Sequence, residues 1–111
     1  MAKQRQYGTR ILEEKEATQY CFYCGKKMKE RNKTIDHITP IKKGSSNCFS
    51  NLAVCCRRCN SLKGGYTIQE LIDQLYKRCR FADELNRIKL EKQIKMWKDV
   101  KLKLMVIKQE F

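Results

Sequence analysis

Two cysteine pairs, Cys21/Cys24 and Cys56/Cys59, share one C-x-x-C spacing. Each short loop lets two thiolates reach a single ion, and two such loops close a tetrahedral Zn²⁺ site with Zn–S distances of about 2.3 Å. The chain has one histidine, so a four-ligand site drawn from these pairs is all cysteine. Gly25 follows the first pair and permits the tight turn that a zinc knuckle requires. The plain alternatives are a disulfide or buried thiols. Paired spacing without a secretory signal favours metal. Cys48, Cys55 and Cys79 read as structural thiols, since no second histidine is present to activate them.

Between and just beyond the pairs lies a second group: Asp36-His37, Asn51, Asn60 and Lys63. An imidazole can take a proton from water near neutral pH, which phosphodiester hydrolysis asks of its base. A carboxylate oxygen beside an amide oxygen suits Mg²⁺, and Asn60 can supply the amide. Neighbouring strand residues point to opposite faces. Asp36 and His37 can therefore serve one phosphate only near a strand end or a bulge, and Pro40 fits a strand that ends there. Alone, Asp-His is an ordinary structural pair. Set in a cysteine frame with Asn51, Asn60 and Lys63 at ordered intervals, it reads as a site.

The whole pattern is C-x-x-C-G, D-H-I-x-P, a Gly-containing loop, N-L, then C-x-x-C-N-x-x-K-G. From Cys21 to Lys63 it resembles the HNH endonucleases of the His-Me finger (ββα-metal) class. That resemblance implies DNA as substrate and hydrolysis with one divalent metal, Mg²⁺ or Mn²⁺, leaving a 5′-phosphate and a 3′-hydroxyl. It further implies His37 as general base, Asp36 and Asn60 as ligands of the catalytic metal, and Asn51 as the residue that steadies the base. Lys63 with Arg57 or Arg58 is then expected to hold the DNA backbone.

The composition is compatible with this. At 111 residues and net charge +13, the chain suits a polyanionic partner. Residues 21–66 hold ten Lys and Arg against two acids, whereas residues 67–111 hold eleven against seven. No apolar run is long enough to span a bilayer, so no membrane role is expected. Residues 1–6 lack the apolar core of a signal peptide, and seven cysteines then point to a reducing, cytoplasmic setting.

These residues need elements to hold them. The expectation is an α+β fold: a ββα-metal core stapled by a four-cysteine zinc knuckle, followed by C-terminal helices. Residues 1–20 form an arm and a short helix, 21–66 the core, and 67–111 the helical extension. Thr9 is expected to cap a helix reaching Ala17, with Ile11 and Leu12 docked on the core. Tyr20 to Tyr23 reads as extended, with its aromatics packed on the zinc site. Thr34–Ile38 reads as a strand, 42–47 as a loop, Leu52–Val54 as a second strand, and Arg57–Lys63 as a helix stopped by Gly64-Gly65. Thr67 and Glu70 make a capping box for a helix whose Leu71, Ile72, Leu75, Tyr76 and Cys79 share a face. Trp97, Val100, Leu104, Ile107 and Phe111 follow a heptad seam. That seam suits packing on the chain's own core or, as the sharper reading, a homodimer or protein partner; alternation over 100–104 also admits a strand. Two other functions compete with the nuclease: a non-catalytic zinc-knuckle nucleic-acid-binding module, and an interaction protein working through its C-terminal helix. Neither accounts for Asp36, His37, Asn51 and Asn60 together.

Overall fold

The structure is a computed structural model that describes residues 7–43 and 47–109, with side chains up to residue 106. The fold is α+β, and it divides into two compact units, Met1–Gly64 and Gly65–Phe111.

In the first unit, α1 spans Thr9–Ala17, β1 Lys33–His37, β2 Leu52–Cys56 and α2 Arg57–Lys63. Gly8, not Thr9, is the N-cap of α1, and no side chain caps it. Ile11 is buried, but Leu12 is exposed, so one residue of the expected pair docks rather than two. Lys33 carries the join between α1 and β1: its buried ammonium donates to the Glu16 carbonyl at 3.1 Å and pairs with Glu30 at 3.0 Å.

The sheet has two antiparallel strands, in register from Lys33↔Cys56 to His37↔Leu52. β1 ends at His37. Beyond it the Asn51 side chain takes the Thr39 N–H, and Pro40 has none to offer. Leu52 through Cys55 are all buried, which is why β2 reads as a continuous apolar run rather than an alternation. Residues 20–23 are not extended as expected. Only Tyr20 bridges, to Lys27, and the chain then turns: the Cys21 N–H reaches the Lys26 carbonyl and the Gly25 N–H the Cys21 carbonyl, both at 2.9 Å. Gly25 takes φ 75°, in the left-handed region that favours glycine. α2 ends the same way, with Gly64 at φ 53° and its N–H on the Asn60 carbonyl.

The second unit is a helix pair. Thr67 and Glu70 cap α3, Ile68–Cys79, with the full reciprocal box. The helix breaks after Cys79, and the Asp83 side chain takes the Asn86 N–H to start α4, Glu84–Gln109. α3 buries Leu71, Ile72 and Leu75; α4 buries Ile94, Trp97 and Val100. Lys98 bonds the Tyr76 hydroxyl and Lys101 bonds Gln69, so the helices run antiparallel. Residues 100–104 are helix, not strand. The seam's Trp97 and Val100 are buried and α4 packs on α3, so the structure lends no support to a dimer face there; the side chains of Ile107 and Phe111 lie outside the described residues.

Candidate active site and metal centre

Four sulfurs come together in the first unit. Sγ of Cys21, Cys24, Cys56 and Cys59 all lie within 4.8 Å of one another, with Cys24 and Cys56 at 3.9 Å. A tetrahedron with Zn–S of about 2.3 Å has sulfur–sulfur edges of about 3.8 Å, so the cluster fits such an ion with small adjustment. Backbone N–H groups already point at the sulfurs: those of Tyr23 and Cys24 at Cys21, and that of Cys59 at Cys56, each at 3.4 Å. Such donors favour thiolate over thiol. The charge is shared unequally. A hydrogen bond from Cys59 pulls the Cys21 thiol down to about 4, and the same contact, with burial, pushes Cys59 up. Burial pushes Cys24 up as well. Four thiolates so close need a cation among them, and this donor set is one that zinc takes. Cys55 stands outside the cluster: it is fully buried, and burial pushes its thiol up to about 12, as for a structural residue.

The candidate catalytic residues sit where α2 meets β1. Thr34 and Asp36, two apart, share one face of β1. Asn60 and Lys63, three apart, share one face of α2. Asn60 Nδ2 donates to Thr34 Oγ1 at 3.1 Å, and Lys63 Nζ pairs with Asp36 Oδ2 at 3.0 Å. The orientation of the Asn60 amide follows from counting protons. The Thr34 hydroxyl spends its single hydrogen on the Cys55 carbonyl, 2.9 Å away, so toward Asn60 it can only accept. Asn60 must therefore present its amino group to Thr34, which leaves its carbonyl oxygen for another partner.

Asp36 is buried, and Tyr23 Oη donates to the same Oδ2 at 2.5 Å. Burial, then the neighbouring carboxylate, pushes the Tyr23 phenol above its ordinary range, so it stays a donor. His37, the last residue of β1, is buried too, with Nε2 2.6 Å from Asn47 Oδ1. An amide oxygen only accepts, so in this arrangement Nε2 is the donor to Asn47. The Tyr7 ring lies beside the same imidazole, centroids 6.1 Å apart and planes tilted by 34°.

Asn51, expected to steady His37, has its described side-chain bonds on Thr39: Oδ1 accepts the Thr39 N–H at 2.9 Å and Nδ2 donates to the Thr39 carbonyl at 3.1 Å. It fixes the chain leaving β1, two residues past His37. Lys63 requires a correction. Expected at the DNA backbone, it is completely buried, its ammonium shared between Asp36 and the His37 carbonyl at 2.8 Å. Arg57 and Arg58 are exposed as a backbone contact requires, and Arg57 also donates to the Arg31 carbonyl at 2.9 Å. Of the ten Lys and Arg in residues 21–66, Lys33 and Lys63 are buried and the other eight are exposed.

Tyr23, Thr34 and Asn47 belong to this constellation, and the sequence did not single them out for it. Tyr23 looks like packing inside a knuckle, Thr34 like any β-branched strand residue, and Asn47 like a loop residue. Only the D-H strand beside a C-x-x-C hinted that such neighbours would be polar.

The sequence profile of the HNH endonucleases matches residues 21–76, half of the chain. A CRISPR-associated endonuclease Cas9 from Corynebacterium diphtheriae is 44% identical over 45 residues, which is 40% of this chain and 4% of that protein. The chain thus spans a small fraction of the length of that curated relative. No solved structure matches it. The profile match takes in both cysteine pairs, the Asp36-His37 strand and the helix that carries Asn60, and on that extent the chain belongs to the HNH endonuclease family, a family of nucleases.

Proposed function

We propose that this chain is a metal-dependent DNA endonuclease, with a structural Zn²⁺ on Cys21, Cys24, Cys56 and Cys59 and a catalytic Mg²⁺ or Mn²⁺ on Asp36 and Asn60. The observation that carries the reading is the meeting of β1 and α2. It sets an amide with its oxygen uncommitted to Thr34 on the face that Asp36 shares, next to the lone imidazole of the chain.

The residues divide the work. His37, oriented by its bond to Asn47, accepts a proton from water. Asp36 and Asn60 supply hard oxygen donors. A cation held by these two residues would supply positive charge against the negative charge that grows on the phosphate and leaving oxygen. Arg57, Arg58 and the exposed lysines hold the phosphodiester backbone, and products carry a 5′-phosphate and a 3′-hydroxyl.

The test is plasmid cleavage with Mg²⁺, Mn²⁺ or EDTA. His37→Ala should lose cleavage while keeping zinc content, fold and DNA affinity, and no excess of divalent metal should restore it. Asp36→Asn and Asn60→Ala should lose activity that excess Mn²⁺ partly recovers. One observation favours a second reading: Asp36 is already neutralised by Lys63, as a purely structural carboxylate would be. On that reading the chain is a zinc-knuckle module that binds nucleic acid and cuts nothing, and wild-type protein would leave the plasmid intact under every metal.

A further inference from the structure

Each arm of the cysteine knuckle carries, beside its ligands, one polar group that ends on Asp36. In the first arm it is Tyr23, between Phe22 and Cys24, with its ring buried and its hydroxyl on Asp36 Oδ2 at 2.5 Å. In the second it is Lys63, four residues after Cys59 and so on the same side of α2, with its ammonium on the same oxygen at 3.0 Å. Neither side chain is needed to bind an ion at the four sulfurs or to accept a proton.

The chemistry of the contact says what it does. A carboxylate turns about its last bond over a broad, shallow profile. A donor 2.5 Å from a charged oxygen is short even among charge-assisted bonds, and both described contacts of this side chain converge on one oxygen. Holding Oδ2 in this way fixes the rotation of the group and turns Oδ1 to whatever lies opposite. Tyr23 itself cannot drift. Its neighbours Cys21 and Cys24 are both in the sulfur cluster, and its own N–H is on Cys21 Sγ.

We infer that Tyr23 is a positioning residue for the nuclease site. It couples the zinc knuckle to the orientation of Asp36, so that a properly closed knuckle is what presents Oδ1 to the catalytic cation. The inference rests on the metal-dependent reading above, and it can fail while that reading stands.

The experiment uses zinc-loaded protein and Mn²⁺ as the probe, with free Mn²⁺ read by electron paramagnetic resonance. Tyr23→Phe keeps the ring and removes only the hydroxyl. Lys63 still neutralises Asp36 in this variant, so it retains its charge balance, one zinc per chain and a cooperative melt. Its Mn²⁺ affinity should fall about 10–100-fold, the usual effect of losing a group that orients a metal ligand. In cleavage assays the half-saturating Mn²⁺ should rise by a similar factor, with the maximal rate recovered at excess metal. A tyrosine that merely packs would leave both quantities at wild-type values, and that result overturns the inference while the nuclease reading stands. If wild type and Asp36→Asn bind Mn²⁺ alike, no cation uses Asp36, and both readings fall together.

Discussion

Lys63 has no exposed surface, and its charge is answered by one carboxylate and one carbonyl. A buried pair of this kind is not strong support for stability in itself, but removing one partner strands the other. Lys63→Met should therefore lower unfolding free energy by about 3–5 kcal/mol, read from urea melts of the zinc-loaded protein. A loss under about 1 kcal/mol would mean that water reaches Asp36 easily. The residue also marks where sequence reading stops. Asp36, His37 and Asn60 stand out because their types carry chemistry at an ordered spacing. Lysine's default place is the surface, and among many basic residues nothing in the sequence distinguishes Lys63, or Lys33, as one that turns inward. Thr34 and Tyr23 are hidden for the same reason: their roles come from pairing across β1, α2 and the knuckle, and a linear chain does not display such contacts.

The cysteine knuckle joins elements too short to hold alone. β1 and β2 have five residues each and α2 has seven, whereas isolated helices shorter than about 12–15 residues are marginal in water. Binding at four-thiolate sites, with apparent free energies of about 10–16 kcal/mol, is at the same time folding free energy. Protein purified without chelator should hold about one zinc per chain. Stripping the ion should collapse hydrogen-exchange protection of the β1 and β2 amides together, and protection that survives in metal-free protein would refute the zinc assignment. Acid should strip it too. In the free cluster Cys24 and Cys59 are pushed up, so they hold protons that must leave for the ion to bind, and falling pH reverses the exchange. These elements were legible in outline: helix α2 with its glycine stop, the α3 capping box and the β2 run follow local rules. Tyr20 to Tyr23 reads as extended because aromatic residues favour strands, and there the sulfur cluster overrides propensity. Trp97 and Val100 of the α4 seam are buried at their expected spacing, yet a period does not say whether its cover is α3 or a second chain.

Over the whole molecule the net positive charge is greatest in residues 21–66, with ten Lys and Arg against two acids, and these residues also hold the candidate site. DNA affinity should then fall steeply with salt, with a log–log slope of about −0.9 per phosphate neutralised. Arg58→Ala should weaken binding to all sequences alike and flatten that slope by about one contact; an affinity indifferent to salt would argue against phosphate contacts. The spacing of the cysteine pairs has a different consequence, for which changes of length the chain can absorb. Cys24 and Cys56 meet, so an ion bound between them would close the intervening chain into a ring that includes Asp36, His37 and Asn51. Ring closure grows only logarithmically harder with size, by about 0.6 kcal/mol for each doubling. Residues added to the connection between β1 and β2 thus weigh little against the whole. One residue added between Cys59 and Lys63 is another matter, because it swings the lysine about 100° around α2 and away from Asp36. Insertions and deletions among relatives of this chain should accordingly gather between the strands and be absent from the four-residue step that ties the last cysteine to the buried lysine.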